Sequence, residues 1–272
     1  MTITVHRDLV YSRVPGYRPL SLDLYVPPSP ARTLCLYLHG GGWRVGSRAD
    51  GPGTTVEWTP SFFERVAAMG LAVASLDYRL SGEARWPAQP EDVQAAASFL
   101  SLQRKPLGVP TPRTVAWGVS AGGQLAAMHA LCSPDAGLDA VVCWYPPTDL
   151  GALAGDCDEA GGHGERGPQA RESQLLGAAV GEHPDLADAA SPVRFARAGA
   201  PPFLFLHGTA DTLVPPRQSQ RLADALTAAG AQATVELVDG AGHMFTELDE
   251  AATTRVVERS VDFLCSSVDA RT

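Results

Sequence analysis

Three runs in this chain, 33–38, 71–76 and 138–145, are apolar at nearly every position instead of alternating with polar residues. A strand of that kind has both faces covered, so it belongs inside a parallel sheet flanked by helices. Further strands are expected at 113–117, 202–207 and 233–238. Helical spacing fills the gaps at 60–69 (stopped by Gly70), 91–103, 124–131, 216–229 and 246–264. In the second of these the apolar face is Val93, Ala96, Ala97 and Leu100. Strand–helix alternation predicts an α/β fold with a mostly parallel central sheet and helices on both faces. Ahead of it, 3–11 and 20–26 alternate in polarity around Val14-Pro15-Gly16-Tyr17 and predict an antiparallel hairpin. With 272 residues and 45% hydrophobic content, one domain spanning 1–272 has enough material for a sizeable core.

The rhythm breaks after residue 148. Residues 155–169 are polar and glycine-rich without periodicity, which predicts a mobile excursion. Short helices are expected at 173–180 and 186–190. The segment 149–201 is too short and too weakly apolar for a core of its own, so it reads as a cap insertion over the site. Residues 46–55 read as a glycine-rich loop.

Composition excludes several classes. A formal net charge of -9 argues against nucleic acid as a partner, since phosphate recognition needs basic patches. No apolar stretch approaches the length that spans a bilayer. The first residues, from Met1 to Asp8, lack the basic and apolar blocks of a signal peptide. Five cysteines without a C-x-x-C pair fit a reducing cytoplasm, with Cys35 and Cys143 as buried thiols inside strands. No G-x-G-x-x-G or P-loop is present, so no nucleotide cofactor is expected. His163 stands near Asp156, Cys157, Asp158 and Glu159, but the spacing fits no zinc pattern, so the cluster reads as a solvated loop and no metal is expected. A homo-oligomer remains open.

The chemistry centres on Trp117-Gly118-Val119-Ser120-Ala121-Gly122-Gly123. This G-x-S-x-G lies where a buried strand turns into a helix, the context of a nucleophile elbow. The flanking glycines let strand and helix approach closely, and the serine hydroxyl is presented at the positive end of the helix. A serine needs a base, and the base needs an orienting carboxylate. In parallel sheets such groups gather beyond the carboxyl ends of strands. Asp211 follows the strand at 202–207, and His243 follows the strand at 233–238. Alone, Asp211 reads equally as an Asx-turn residue, and His243 as a solvated loop histidine. The order Ser120, Asp211, His243 is that of nucleophile, acid and histidine in α/β-hydrolases. Asp239 is a rival acid, but it leaves the same strand as His243 and lies too near it in sequence. His207 reads as structural and His129 as a core or surface histidine. His39-Gly40-Gly41-Gly42 follows an early central strand, where the N–H groups of Gly41, Gly42 and Ala121 are expected to hold an oxyanion. Losing one such donor costs about 3 kcal/mol of barrier. Trp43 and Trp144 read as pocket or packing residues, with Trp43 expected to narrow the substrate pocket.

With these residues in hand the chain resembles the α/β-hydrolase carboxylesterases, most closely the bifunctional feruloyl/acetyl-xylan esterase type. Kynurenine formamidases and the hormone-sensitive-lipase group are its relatives. The resemblance is carried by His39-Gly40-Gly41-Gly42-Trp43-Arg44-x-Gly46, Asp77-Tyr78-Arg79-Leu80, Pro87-Ala88-x-x-Glu91-Asp92 and the elbow. Ala190-Ser191-Pro192-Val193, His207-Gly208-x-x-Asp211-x-x-Val214-Pro215 and Gly240-Ala241-Gly242-His243 extend it. It implies a cofactor-free serine esterase acting on a small-molecule ester. Residues 155–169 have no counterpart in the pattern. The same machinery also serves an arylformamidase or amidase and a natural-product deacylase or lactone-forming enzyme. A non-catalytic binding protein on the same scaffold is the reading of another class. The glycine and polar content of 151–190 makes a poor wall for a long acyl chain, which predicts a preference for short acyl groups.

Overall fold

The computed structural model describes residues 2–133 and 137–269. Met1 and 270–272, the extremes of the expected domain, lie outside the described residues. Eight strands form one sheet: β1 (Thr4–Ser12), β2 (Leu20–Val26), β3 (Thr33–Leu38), β4 (Leu71–Leu76), β5 (Thr114–Val119), β6 (Leu138–Trp144), β7 (Phe203–Gly208) and β8 (Ala233–Val238). Their order is β1-β2-β4-β3-β5-β6-β7-β8. The hairpin β1–β2 and the pair β2–β4 are antiparallel; every other pairing is parallel.

The continuous apolar runs have the cause expected for them. Along β3, Leu34, Leu36 and Leu38 join one core with α2 (Ala88–Gln103), α3 (Ala121–Cys132) and α7 (Arg217–Ala228). The alternate residues, Cys35 and Tyr37, join a second core with α1 (Phe62–Ala68) and α8 (Glu250–Asp269). The sheet thus separates two apolar layers, and a strand between them has no polar face. Cys35 and Cys143 are buried thiols.

Local signals set the helix ends. Ser61 caps α1 in a reciprocal box with Glu64, so that helix starts at Phe62. The final helix begins at Glu250, later than expected, because Met244 and Phe245 take positive φ (66° and 57°) in a 3-10 turn. The side chain of Asp249 then accepts from the Ala252 N–H at 2.7 Å and caps α8. Helix α3 starts at Ala121, three residues before the expected 124, because the Ser120 carbonyl accepts from the N–H groups of Gly123 (2.8 Å) and Gln124 (3.1 Å).

The segment after β6 departs most from expectation. The mobile excursion expected at 155–169 instead opens with a helix, α4 (Leu153–Glu159). Its Asp156 is not solvated: the carboxylate accepts from Gln218 Nε2 at 2.7 Å and from Nε and Nη2 of Arg221, at 3.1 and 2.8 Å. Leu153 and Cys157 pack with Val214 in a small apolar cluster. Two short helices follow, α5 (Arg171–Leu176) and α6 (Pro184–Ala189). Leu175, Leu176, Ala187 and Ala190 from this stretch enter the first core, so the segment shares the main core.

Glycine spacing at the elbow sets a hard limit. A Cβ on Gly122 would lie 2.1 Å from the Leu38 carbonyl oxygen and 2.4 Å from that of His39. A Cβ on Gly155, which is exposed on α4, would have nothing within 4 Å. Gly122→Ala is therefore expected to lower the melting temperature by roughly 5 °C or more, a loss of about 2 kcal/mol or more by overpacking. Gly155→Ala is expected to leave it unchanged or raise it by a few degrees, through helix propensity worth about 1 kcal/mol. Thermal denaturation of the two variants checks the pair, and a tolerated Gly122→Ala would contradict the packing.

Candidate active site

Strand β5 ends at Val119, and Ser120 sits in the turn before α3 with φ 52° and ψ -121°. Positive φ is uncommon for a residue with a side chain and marks strain held by its surroundings. The surroundings here are specific. The Ser120 N–H donates to the Trp144 carbonyl at 2.9 Å, and Gly118 and Gly122 remove the Cβ atoms that would otherwise separate strand from helix.

The residues expected as base and acid converge on this turn. His243 Nε2 lies 3.0 Å from Ser120 Oγ, and His243 Nδ1 lies 2.7 Å from Asp211 Oδ2. An N–H at Nδ1 donating to the carboxylate leaves Nε2 as acceptor for the serine proton. The edge of the Tyr145 ring packs on the imidazole with centroids 4.8 Å apart. Asp211 is 1% exposed. Its Oδ1 accepts from the N–H groups of Leu213 (3.0 Å) and Val214 (2.9 Å). The Asx-turn and the histidine contact thus coexist, one on each carboxylate oxygen.

His207 is fully buried. Its Nε2–H donates to the Val214 carbonyl at 2.6 Å and sits 3.4 Å from Asp211 Oδ2, while Nδ1 pairs with Ser219 Oγ at 2.7 Å. It holds the Asp211 loop, as its structural reading anticipated. Burial alone would raise the Asp211 carboxyl. Hydrogen bonds from His207 and His243, the His243 charge and the Val214 N–H outweigh that and hold it down at about 2. Asp239 is exposed, and among the described residues it reaches only Thr209 Oγ1, at 3.4 Å. His129 is buried in α3 without a polar partner among the described residues, and burial pushes it down to about 4.

The loop after β3 lies beside the elbow. Gly41 and Gly42 have φ of 110° and 59°, and the Gly41 carbonyl accepts from the N–H groups of Arg44 (3.1 Å) and Val45 (3.2 Å). Ala121 is the first residue of α3, where N–H groups have no intrahelical partner. His39 stacks on Tyr78 at 4.3 Å, donates from Nδ1 to the Gly40 carbonyl at 2.7 Å, and accepts the Tyr78 hydroxyl on its own carbonyl at 3.0 Å. The Trp43 indole N–H donates to Gln124 Oε1 at 3.1 Å, and Gln124 donates to the Ala190 carbonyl at 2.8 Å. Trp43 is 1% exposed and borders the cavity, so packing and lining meet in one residue. Trp144 only packs: it faces Trp117 and Phe245, and its N–H donates to Ser260.

Ser120, Ala121, Gly41, Gly42, Trp43 and His243 border one cavity of about 480 Å³. The sequence reading missed much of its wall. Val45, Val56, Leu213 and Met244 all line it, and all four are exposed. From the segment 151–190, expected to cover or flank the site, Arg171 and Glu172 border the cavity. No periodicity marks 50–56, and Met244 faces the cavity through a positive φ that no motif announces. Among the described residues no group of His, Cys, Asp and Glu stands together to hold a metal ion. None of their helices is long and apolar enough to cross a membrane.

The BD-FAE family profile matches residues 22–226. Esterase LipC of Mycobacterium tuberculosis is 31% identical over 235 residues, 84% of this chain and 56% of its own length. The chain therefore spans just over half of that curated relative. A truncated carbohydrate esterase from gut microbiota superposes with a TM-score of 0.80 at 25% identity, covering 98% of this chain and 96% of that one. The propionate-bound esterase Est2 of Thermogutta terrifontis gives 0.73 at 27% identity, covering 96% and 94%. The resemblance carried by the sequence motifs is borne out, and the chain belongs to the BD-FAE family, within the α/β-hydrolase carboxylesterases.

Proposed function

We propose that this protein is a serine esterase that cleaves small carboxylic esters through an acyl-enzyme. The observation that carries the reading is the hydrogen-bonded chain Ser120 Oγ to His243 Nε2 and His243 Nδ1 to Asp211, opening onto a cavity bordered by the glycine loop. His243 takes the serine proton as Oγ attacks the ester carbonyl. The N–H groups of Gly41, Gly42 and Ala121 stabilise the oxyanion, and their worth lies in being fixed before charge develops. His243 then protonates the leaving alcohol, and water repeats the sequence to release the acid. Asp211 keeps the imidazole tautomer and stabilises its cation.

The esterase relatives support ester over amide or lactone chemistry. Trp43 forms part of the substrate wall, and 149–201 acts as a partial cap through Arg171 and Glu172. The buried thiols Cys35 and Cys143 support a reducing, cytoplasmic setting. A cavity of about 480 Å³ suits a small ligand, and with it a short acyl group.

Ser120→Ala should abolish hydrolysis of p-nitrophenyl acetate without changing the melting temperature; retained activity in that variant would overturn the assignment. Asp211→Asn should lower kcat by roughly 10⁴, as wrong-tautomer variants do, while Asp239→Asn changes it little. Reversed losses would move the acid to Asp239. Because Asp211 titrates lower folded than unfolded, the stability it contributes is complete above about pH 4 and disappears as pH falls toward 2. Acid denaturation should accordingly be shallower for Asp211→Asn across that window. In a p-nitrophenyl ester series, kcat/KM should peak at or below about four carbons, because a methylene left unburied forfeits about 0.8 kcal/mol. A steady rise through octanoate would instead make Val45, Val56, Leu213 and Met244 an acyl wall.

A further inference from the structure

The second residue that the segment 149–201 brings to the cavity is unusual in its company. Glu172 is 8% exposed. Among the described residues its carboxylate meets no donor except its own backbone N–H. Glu172 borders the cavity together with Arg171, Arg44 and Leu213. Its helix neighbour Arg171 lies against Gly42 of the glycine loop. Burial raises the Glu172 carboxyl above its ordinary range; its own N–H and the two guanidiniums oppose this, and Glu165 adds to it.

A single backbone donor leaves this carboxylate with free acceptor capacity, which a group that enters the cavity and donates to it can fill. The neighbours restrict what that group is. Arg171 is held by Glu165 at 3.2 Å, and its side chain lies against Gly42, where an added Cβ would meet it at 2.7 Å. Two guanidiniums, Arg44 and Arg171, face two carboxylates, Glu165 and Glu172. Two positive and two negative groups leave this corner without net charge, so it favours neither a cationic nor an anionic ligand. A neutral hydroxyl donor suits that balance.

Resting on the esterase reading, we propose that Glu172 is a specificity-determining residue that accepts a hydrogen bond from a free hydroxyl on the substrate. The esters turned over best then carry a hydroxyl close to the scissile bond.

The test compares kcat/KM within two matched pairs. The first is 2-hydroxyethyl butyrate against propyl butyrate; the second is methyl 3-hydroxybutyrate against methyl butyrate. Wild type, Glu172→Gln and Glu172→Leu are assayed, with melting temperatures to check folding. Wild type should prefer the hydroxylated ester in at least one pair by roughly ten- to a hundredfold, the range of a hydrogen bond to a charged group. That ratio should fall to about one in Glu172→Leu. Glu172→Gln, which keeps a carbonyl acceptor, should fall between. Ratios taken within each variant cancel any general loss of activity. A wild-type ratio near one in both pairs overturns the inference even if neither variant folds, and leaves the esterase reading intact. A preference that survives both substitutions overturns it equally. Failure of wild type to hydrolyse any of the four esters removes the esterase reading, and this inference with it.

Discussion

Everything at the site depends on one backbone contact, the approach of Gly122 to the carbonyls of Leu38 and His39. It presses the first turn of α3 against the end of β3, where no side chain has room. Because β3 continues into the glycine loop, the same contact fixes Gly41 and Gly42 relative to Ser120. A Cβ on Gly40 would stand 3.2 Å from the Val119 carbonyl and 3.4 Å from the Ser120 Cβ, so loop and elbow touch along their length. The strained φ of Ser120 is sustained by this crowding and by the N–H bond to Trp144. Proposed nucleophile and proposed oxyanion donors are thus parts of one rigid junction.

The second layer is electrostatic. Asp211 is buried yet ionised because His207, His243 and two backbone N–H groups surround it. A charge desolvated in this way acts strongly on a neighbour at 2.7 Å and is little screened by water. His207 matters here through position. Its bonds to Val214 and Ser219 tie the Asp211 loop to the start of α7, so the acid has one place to be.

Much of this was legible in the residues. The central strands announced themselves through unbroken apolar runs, because two cores press on them. Ser120, Asp211 and His243 were readable because each follows a strand end and the chain order is diagnostic. What escaped was held by distant polar partners or by backbone conformation. Helix α4 has no apolar stripe; Asp156 is buried by Arg221 and Gln218, about sixty residues away, a pairing no local pattern reports. Met244 reached the cavity through a left-handed residue that no glycine marks. No motif marks Arg171 or Glu172, and only the fold brings Arg171 over Gly42. Trp43 and Trp144 were indistinguishable as letters, and the hydrogen bonds to Gln124 and Ser260 separate their roles.

The central claim is that Ser120 is the activated nucleophile of this junction. It is tested most directly by treating the protein with a fluorophosphonate and mapping the adduct by peptide mass spectrometry. The account predicts a single adduct on Ser120, formed far more slowly in a His243→Ala variant of unchanged melting temperature. An adduct on another serine, or equal labelling rates in the two proteins, would contradict it.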